Sequence, residues 1–116
     1  MDSETFIEIL KSTVEEPAIS GILKILENPP GKKPKESLVR LSEWFNKLSE
    51  YDKTMVKEVL GEGLKMNMFG LLALLDGVRL FNNFDGKLEL YYVQDNIKLL
   101  LNDSNKEYLH DIYNQE

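Results

Sequence analysis

The sequence predicts an α+β fold, predominantly helical, with four to five helices packed against a C-terminal antiparallel β-hairpin of two or three strands and a final helix. Three observations predict it. Apolar residues recur at three- and four-residue spacing through the first two thirds of the chain, the period of an amphipathic helix. From Leu88 the period falls to two, the alternation of a half-buried strand. The 116 residues contain no cysteine and form one domain, 1–116, of a size that buries roughly 65 % of the unfolded surface unaided.

Ser3 is placed to cap a first helix with Phe6, Ile7, Leu10 and Val14 on one face. Pro17 suits the first position of a second helix, where a missing N–H is no loss, and Ile19, Ile22, Leu23 and Leu26 form its stripe. Residues 28–35, rich in proline and lysine, read as a solvated loop between two helical hairpins. From Glu36 a third helix runs to about Ser49 and turns Leu38, Leu41, Trp44, Phe45 and Leu48 inward. Asp52 is the expected cap of a fourth, with Tyr51 stapled onto Val56. That helix passes Val59, Leu60 and Leu64 to reach Leu75, with a kink or break expected at Gly61 and Gly63 and a stop at Gly77.

Leu88, Leu90 and Tyr92, then Ile97, Leu99 and Leu101, give the inward row of a hairpin turning at Gln94-Asp95-Asn96. Glu89, Tyr91, Val93 and Lys98 then face outward. Val78 to Phe81 is a candidate third strand before the Asn82–Gly86 turn. Ser104 and Glu107 read as a capping box for a last helix ending near Asn114, whose Tyr108, Leu109, Ile112 and Tyr113 cover the hairpin.

Composition narrows the chemistry. Without cysteine, disulfides, thiolate catalysis, iron–sulfur clusters and cysteine zinc sites are excluded. The single histidine, His110, has no adjacent nucleophile and reads as a surface or half-buried side chain. Asn82, Asn83, Asp85 and Gly86 resemble a calcium loop only superficially: the twelfth residue from Asn82 is Val93, where an EF-hand needs glutamate. Glu15 and Glu16 are adjacent and so do not share a helix face, which leaves them as solvated helix-end acids. Met55, Met66 and Met68 with Phe69, at or near helical spacing, read as core, with a flexible Met-lined binding groove as the alternative. Gly61-Glu62-Gly63 lacks the strand and the later glycine of a dinucleotide fingerprint. No metal site, cofactor or catalytic residue is therefore expected.

The net charge of −6 is segregated: residues 1–31 and 76–116 each carry four more acids than bases, and residues 32–75 two more bases than acids. Such a chain is repelled by phosphate and attracted to basic proteins, so the expected partner is a protein with a basic surface rather than nucleic acid. Lys32, Lys33 and Lys35 lack interleaved aromatics and read as loop. The apolar stretch Met66–Leu75 is half a membrane span and reads as buried helix. Acid at Met1-Asp2-Ser3-Glu4, where a signal peptide carries Lys or Arg, points to the cytoplasm.

Leu75-Asp76-Gly77-Val78, Gly86 to Val93, Leu101-Asn102-Asp103 and Tyr108 to Tyr113 resemble segments of a group of small uncharacterised bacterial proteins. The resemblance spans residues 75–113 and implies no activity. In size and acidity the chain is also similar to bacterial immunity proteins, which block a toxin by binding it. The expected function is thus a non-catalytic, acidic protein-binding domain of inhibitor or immunity type, with Glu89, Tyr91, Val93 and Lys98 as its binding residues. The alternative is a small-ligand-binding or enzymatic domain with a pocket near Asp76, Arg79 and His110. A homodimer joined at the hairpin edge is a third arrangement.

Overall fold

The two helices expected in residues 3–27 are present, with Pro17 in the first turn of the second, and they run on from one another without a break. In the computed structural model, which describes residues 1–81 and 83–115, α1 (Ser3–Leu10) passes through a π-helical turn (Lys11–Glu15) into α2 (Glu16–Glu27). The reason is Pro17. It has no N–H to donate and its ring collides with the carbonyl four residues back in a regular α-helix. Widening the preceding turn, so that the Glu16 N–H reaches the Lys11 carbonyl five residues back, accommodates it without breaking the helical run. The wider turn also shifts the helix phase. Val14, expected inward, is exposed, and Glu15 turns into the core instead. The cap is Asp2 rather than Ser3: its carboxylate accepts the Thr5 N–H at 2.8 Å. Ser3 donates its hydroxyl to the Leu101 carbonyl at 2.8 Å, joining the first helical residue to the end of the hairpin.

After the 28–35 loop, α3 (Glu36–Asn46) packs on α2, burying Phe45 and Ser42. It stops three residues before the expected end. Leu41 and Trp44, expected inward, stand exposed because α3 has α2 on one side and open solvent on the other. Ser49, not Asp52, caps α4 (Glu50–Leu75), its hydroxyl accepting the Asp52 N–H at 3.1 Å. Tyr51 therefore lies inside the first turn and is exposed, so no staple onto Val56 forms. Gly61 and Gly63 do not interrupt α4. Gly77 ends it as expected, at φ +78, with Gly77 N–H bonded to the Leu74 carbonyl and Val78 N–H to the Ala73 carbonyl. That pair of bonds is the Schellman arrangement, which needs the left-handed residue that glycine supplies.

Two strands follow, β1 (Tyr91–Gln94) and β2 (Ile97–Leu100), antiparallel with Tyr91 opposite Leu100 and Val93 opposite Lys98. Asp95 takes the turn at φ +54, a conformation that aspartate tolerates. Val78–Phe81 is not a strand; the sheet has two. Leu90, Tyr92, Leu99 and Leu101 form the covered row, whereas Leu88 and Ile97 at its two ends are exposed. Ser104 and Glu107 start no helix. The last one, α5 (Leu109–Tyr113), begins later and is capped from α4, as described below.

The core gathers where α1, the second half of α4 and α5 meet: Ile7, Met68, Leu72, Leu109, Ile112 and Tyr113, flanked by Phe6, Leu10, Phe69, Leu75 and Leu90. Two polar contacts lock it. Asn102 accepts the Leu90 N–H at 2.8 Å and donates to the carbonyls of Leu75 at 2.6 Å and Leu88 at 2.9 Å, so one amide ties the hairpin to the end of α4. The Tyr113 hydroxyl donates to the buried Glu15 carboxylate, tying α5 to the π turn. The radius of gyration is 18.3 Å, against about 13 Å for a compact chain of this length, because α2, α3 and the first half of α4 extend beyond that core. Among the described residues no helix is long and apolar enough to cross a membrane.

Two outcomes are expected. Asn102→Ala orphans three backbone groups and lowers stability by about 2–4 kcal/mol, read as a shift in the denaturant midpoint. Burial first, then the Glu15 hydrogen bond and charge, raise the Tyr113 phenol well above its ordinary range. The folded protein therefore keeps that proton after an unfolded chain has lost it. Stability from this pair is complete below about pH 10 and falls as pH rises beyond it. In Tyr113→Phe the alkaline slope of the denaturant midpoint becomes shallower by that contribution.

Candidate functional site

The outward hairpin residues cluster as the alternation requires. Glu89, Tyr91, Val93 and Lys98 are all exposed and share one face. The Tyr91 hydroxyl donates to Glu89 Oε2 at 2.9 Å, and Lys98 Nζ lies 5.5 Å from the centre of the Tyr91 ring. Val93 sits directly opposite Lys98 on the neighbouring strand. The phenol is thus held between an anion and a cation, and its pKa is raised by the hydrogen bond to Glu89. An oriented aromatic with a polar tip, beside an exposed aliphatic, is the composition of an interface anchor.

Glu89 also belongs to a cleft of about 480 Å³ between the segment after α4 and the β2–α5 connection. Leu80, Phe81, Phe84 and Leu88 supply its apolar wall; Asn102, Asp103, Ser104 and Asn105 supply a polar one. Leu80 is 86 % exposed and Phe84 72 %, with the Phe81 and Phe84 rings 5.8 Å apart. Large apolar side chains held this far into water stand out, since isolated exposed residues are ordinary but clusters are not. Through Glu89 the cleft rim and the hairpin face form one surface.

Asp76, Arg79 and His110 only partly converge. Asp76 Oδ1 accepts the Leu109 N–H at 3.0 Å, and Oδ2 accepts the His110 N–H at 2.9 Å and faces His110 Nδ1 at 2.6 Å. Its side chain is wholly buried. This carboxylate is the N-terminal cap of α5, supplied from 33 residues away. The imidazole stacks on Tyr108 and meets Phe69 edge-on, with Nε2 3.4 Å from Asp111 Oδ1. His110 does not line the cleft, although Asp76 and Arg79 do. Arg79 is exposed and makes no ion pair with Asp76; its guanidinium lies across α4 at Gly70. The pair Asp76–His110 holds a helix end. It presents no free acid or base to the cleft.

Among the described residues no group of three or more histidine or acidic side chains is placed to hold a metal ion. Asn82 lies outside the described residues. No protein-family model matches the chain, and neither the curated proteins nor the solved structures give a match. Sequence reasoning missed Leu80 and Phe84, which it placed in a strand or a turn, and Asn102, whose three bonds run to residues 12, 14 and 27 positions away. It also placed Glu15 in solvent. A proline two residues after Glu15 was the available signal for the altered helix phase.

Asp76→Ala is expected to cost about 3–4 kcal/mol, because two amide donors and the imidazole lose their acceptor together. Asp76→Asn keeps one acceptor and costs less. Guanidinium chloride midpoints give the order; an unchanged midpoint for Asp76→Ala would refute the cap.

Proposed function

We propose that this chain is a non-catalytic protein-binding domain that docks a basic partner protein on the surface formed by the hairpin's outer face and the adjoining cleft rim. One observation carries the reading: Leu80, Phe84, Tyr91 and Val93, at 86, 72, 43 and 54 % exposure, stand in water on a surface that Glu89 makes continuous. Folding leaves these side chains uncovered, so their burial remains available to binding. At roughly 25 cal/mol per Å² of apolar surface, even partial cover of four such groups supplies several kcal/mol.

Charge supports the sign of the partner. Residues 76–116 carry four more acids than bases; on this surface Asp85, Glu89 and Asp103 stand among Arg79, Lys87 and Lys98, so the support is the net charge of the C-terminal part. A basic patch opposite it would be steered in by attraction and released by salt. Small size and acidity fit an inhibitor or immunity-type protein of the bacterial cytoplasm. The engagement of Asp76 and His110 with each other supports binding over catalysis.

Immobilised protein incubated with lysate of its own source at low and raised salt tests this. The expected result is one stoichiometric basic protein, weakened by salt and lost with Tyr91→Ala or Phe84→Asp, both exposed substitutions that leave the circular dichroism spectrum unchanged. Retention of the same partner by both variants, or no stoichiometric partner at low salt, overturns the reading.

A further inference from the structure

On the opposite side of Arg79 from the 480 Å³ cleft's hairpin wall, a larger, open cavity of about 740 Å³ lies between the π turn, α4 and the end of α5. Its volume is in the range of small-ligand pockets, about 300–1,000 Å³. Three cations reach it from three elements: Lys11 from the π turn, Lys65 from α4 and Arg79 from the segment after α4. None of the three has a carboxylate oxygen within 4.0 Å among the described residues. Two carboxylates also line the cavity, Glu15 and Glu62. Glu15 is buried and accepts the Tyr113 hydroxyl while keeping its charge, so the lining holds three cations against two carboxylates and is net positive. In a chain of net charge −6 this is a local reversal of sign.

The walls between the charges are apolar. Met66 and Phe69 share a face of α4 with Glu62 and Lys65, at spacings of three and four residues, and Met66 is 75 % exposed. The Tyr113 ring closes the far side, with Lys11 Nζ 5.0 Å from its centre. Arg79 is seated there by Gly70. A Cβ on that residue would stand 2.6 Å from Arg79 Nη1, so the absent side chain is what allows the guanidinium to lie against the helix. A planar guanidinium presents paired donors to a carboxylate or phosphate.

From this arrangement we propose that the cavity binds a small organic anion, a carboxylate or phosphate carried on an apolar or aromatic body. Arg79 and Lys65 clamp the anionic group, Lys11 adds a third charge, and Met66, Phe69 and the Tyr113 ring take the body. The cavity shares Arg79 with the cleft beside the docking surface, but Lys11, Lys65, Met66, Phe69 and Tyr113 belong to it alone, so either reading stands if the other fails.

Titration of the intact protein with phenyl phosphate, benzoate and benzyl alcohol, followed by amide chemical shifts, tests it. Saturable shifts centred on Lys11, Lys65, Phe69 and Tyr113 are expected with an anionic probe and none with the alcohol; the stronger of the two anions identifies the group preferred. Arg79→Gln and Lys65→Ala are each expected to weaken binding at least tenfold. Gly70→Ala displaces only the flexible tip of Arg79, so it should keep or raise the melting temperature yet weaken binding several-fold. Shifts linear in probe concentration and spread over the surface lysines, equal response to benzyl alcohol, or wild-type affinity in all three variants overturns the proposal.

Discussion

A helix of five residues has no stability of its own, because the ordering of its first turn is not recovered within so short a span. α5 exists because both of its ends are held by distant acids. Asp76, the last residue of α4's helical geometry, caps its N-terminus, and Glu15, in the π turn, accepts the hydroxyl of its final residue Tyr113. Between those anchors Leu109 and Ile112 are pressed onto Leu72 and Met68. The core and the 740 Å³ cavity that Tyr113 lines both follow from where α5 is fixed. Remove the capping carboxylate, and the side chains that fill the centre lose the element that carries them.

The chain divides its apolar residues unusually. A small set meets around Leu72 and Leu109, which are almost completely enclosed, while Trp44, Val59, Met66, Leu80 and Phe84 remain largely in water. This follows from architecture. α2 and α3 make a two-helix layer that α4 covers only in part, and the described residues between α4 and β1 include no strand or helix. Those residues have no ladder to join, and their leucine and phenylalanines have only the cleft wall to rest on. The same lack of cover that weakens the monomer's interior supplies the surface on which the proposed docking rests.

Much of this was legible in the sequence. The third and fourth helices to within three residues at their ends, the stop at Gly77, the hairpin turn and the outward set Glu89, Tyr91, Val93 and Lys98 all follow from local periodicity and turn chemistry, which act over a few residues. What was not legible depends on long-range partners. Ser104 and Glu107 have the spacing of a capping box, yet the helix begins at Leu109 and its first amides are capped by Asp76, 33 positions away, which no local pattern announces. Leu41 and Trp44 have the period of an inward face, but period alone does not say whether a neighbour is there to pack against. Glu15 shows the opposite error: an acid in an acidic run that the π turn rotates inward, to a tyrosine 98 positions away.

The extended form of the molecule, 51 Å along its longest axis and 33 and 29 Å across, has a hydrodynamic consequence. Friction depends on dimensions, so a monomer drawn out in this way migrates through a porous matrix ahead of a rounder protein of equal mass. Its elution position would imitate that of a two-chain assembly. Stoichiometry for this chain must therefore be taken from a direct measure of mass, and a pairing inferred from retention alone would describe its outline instead.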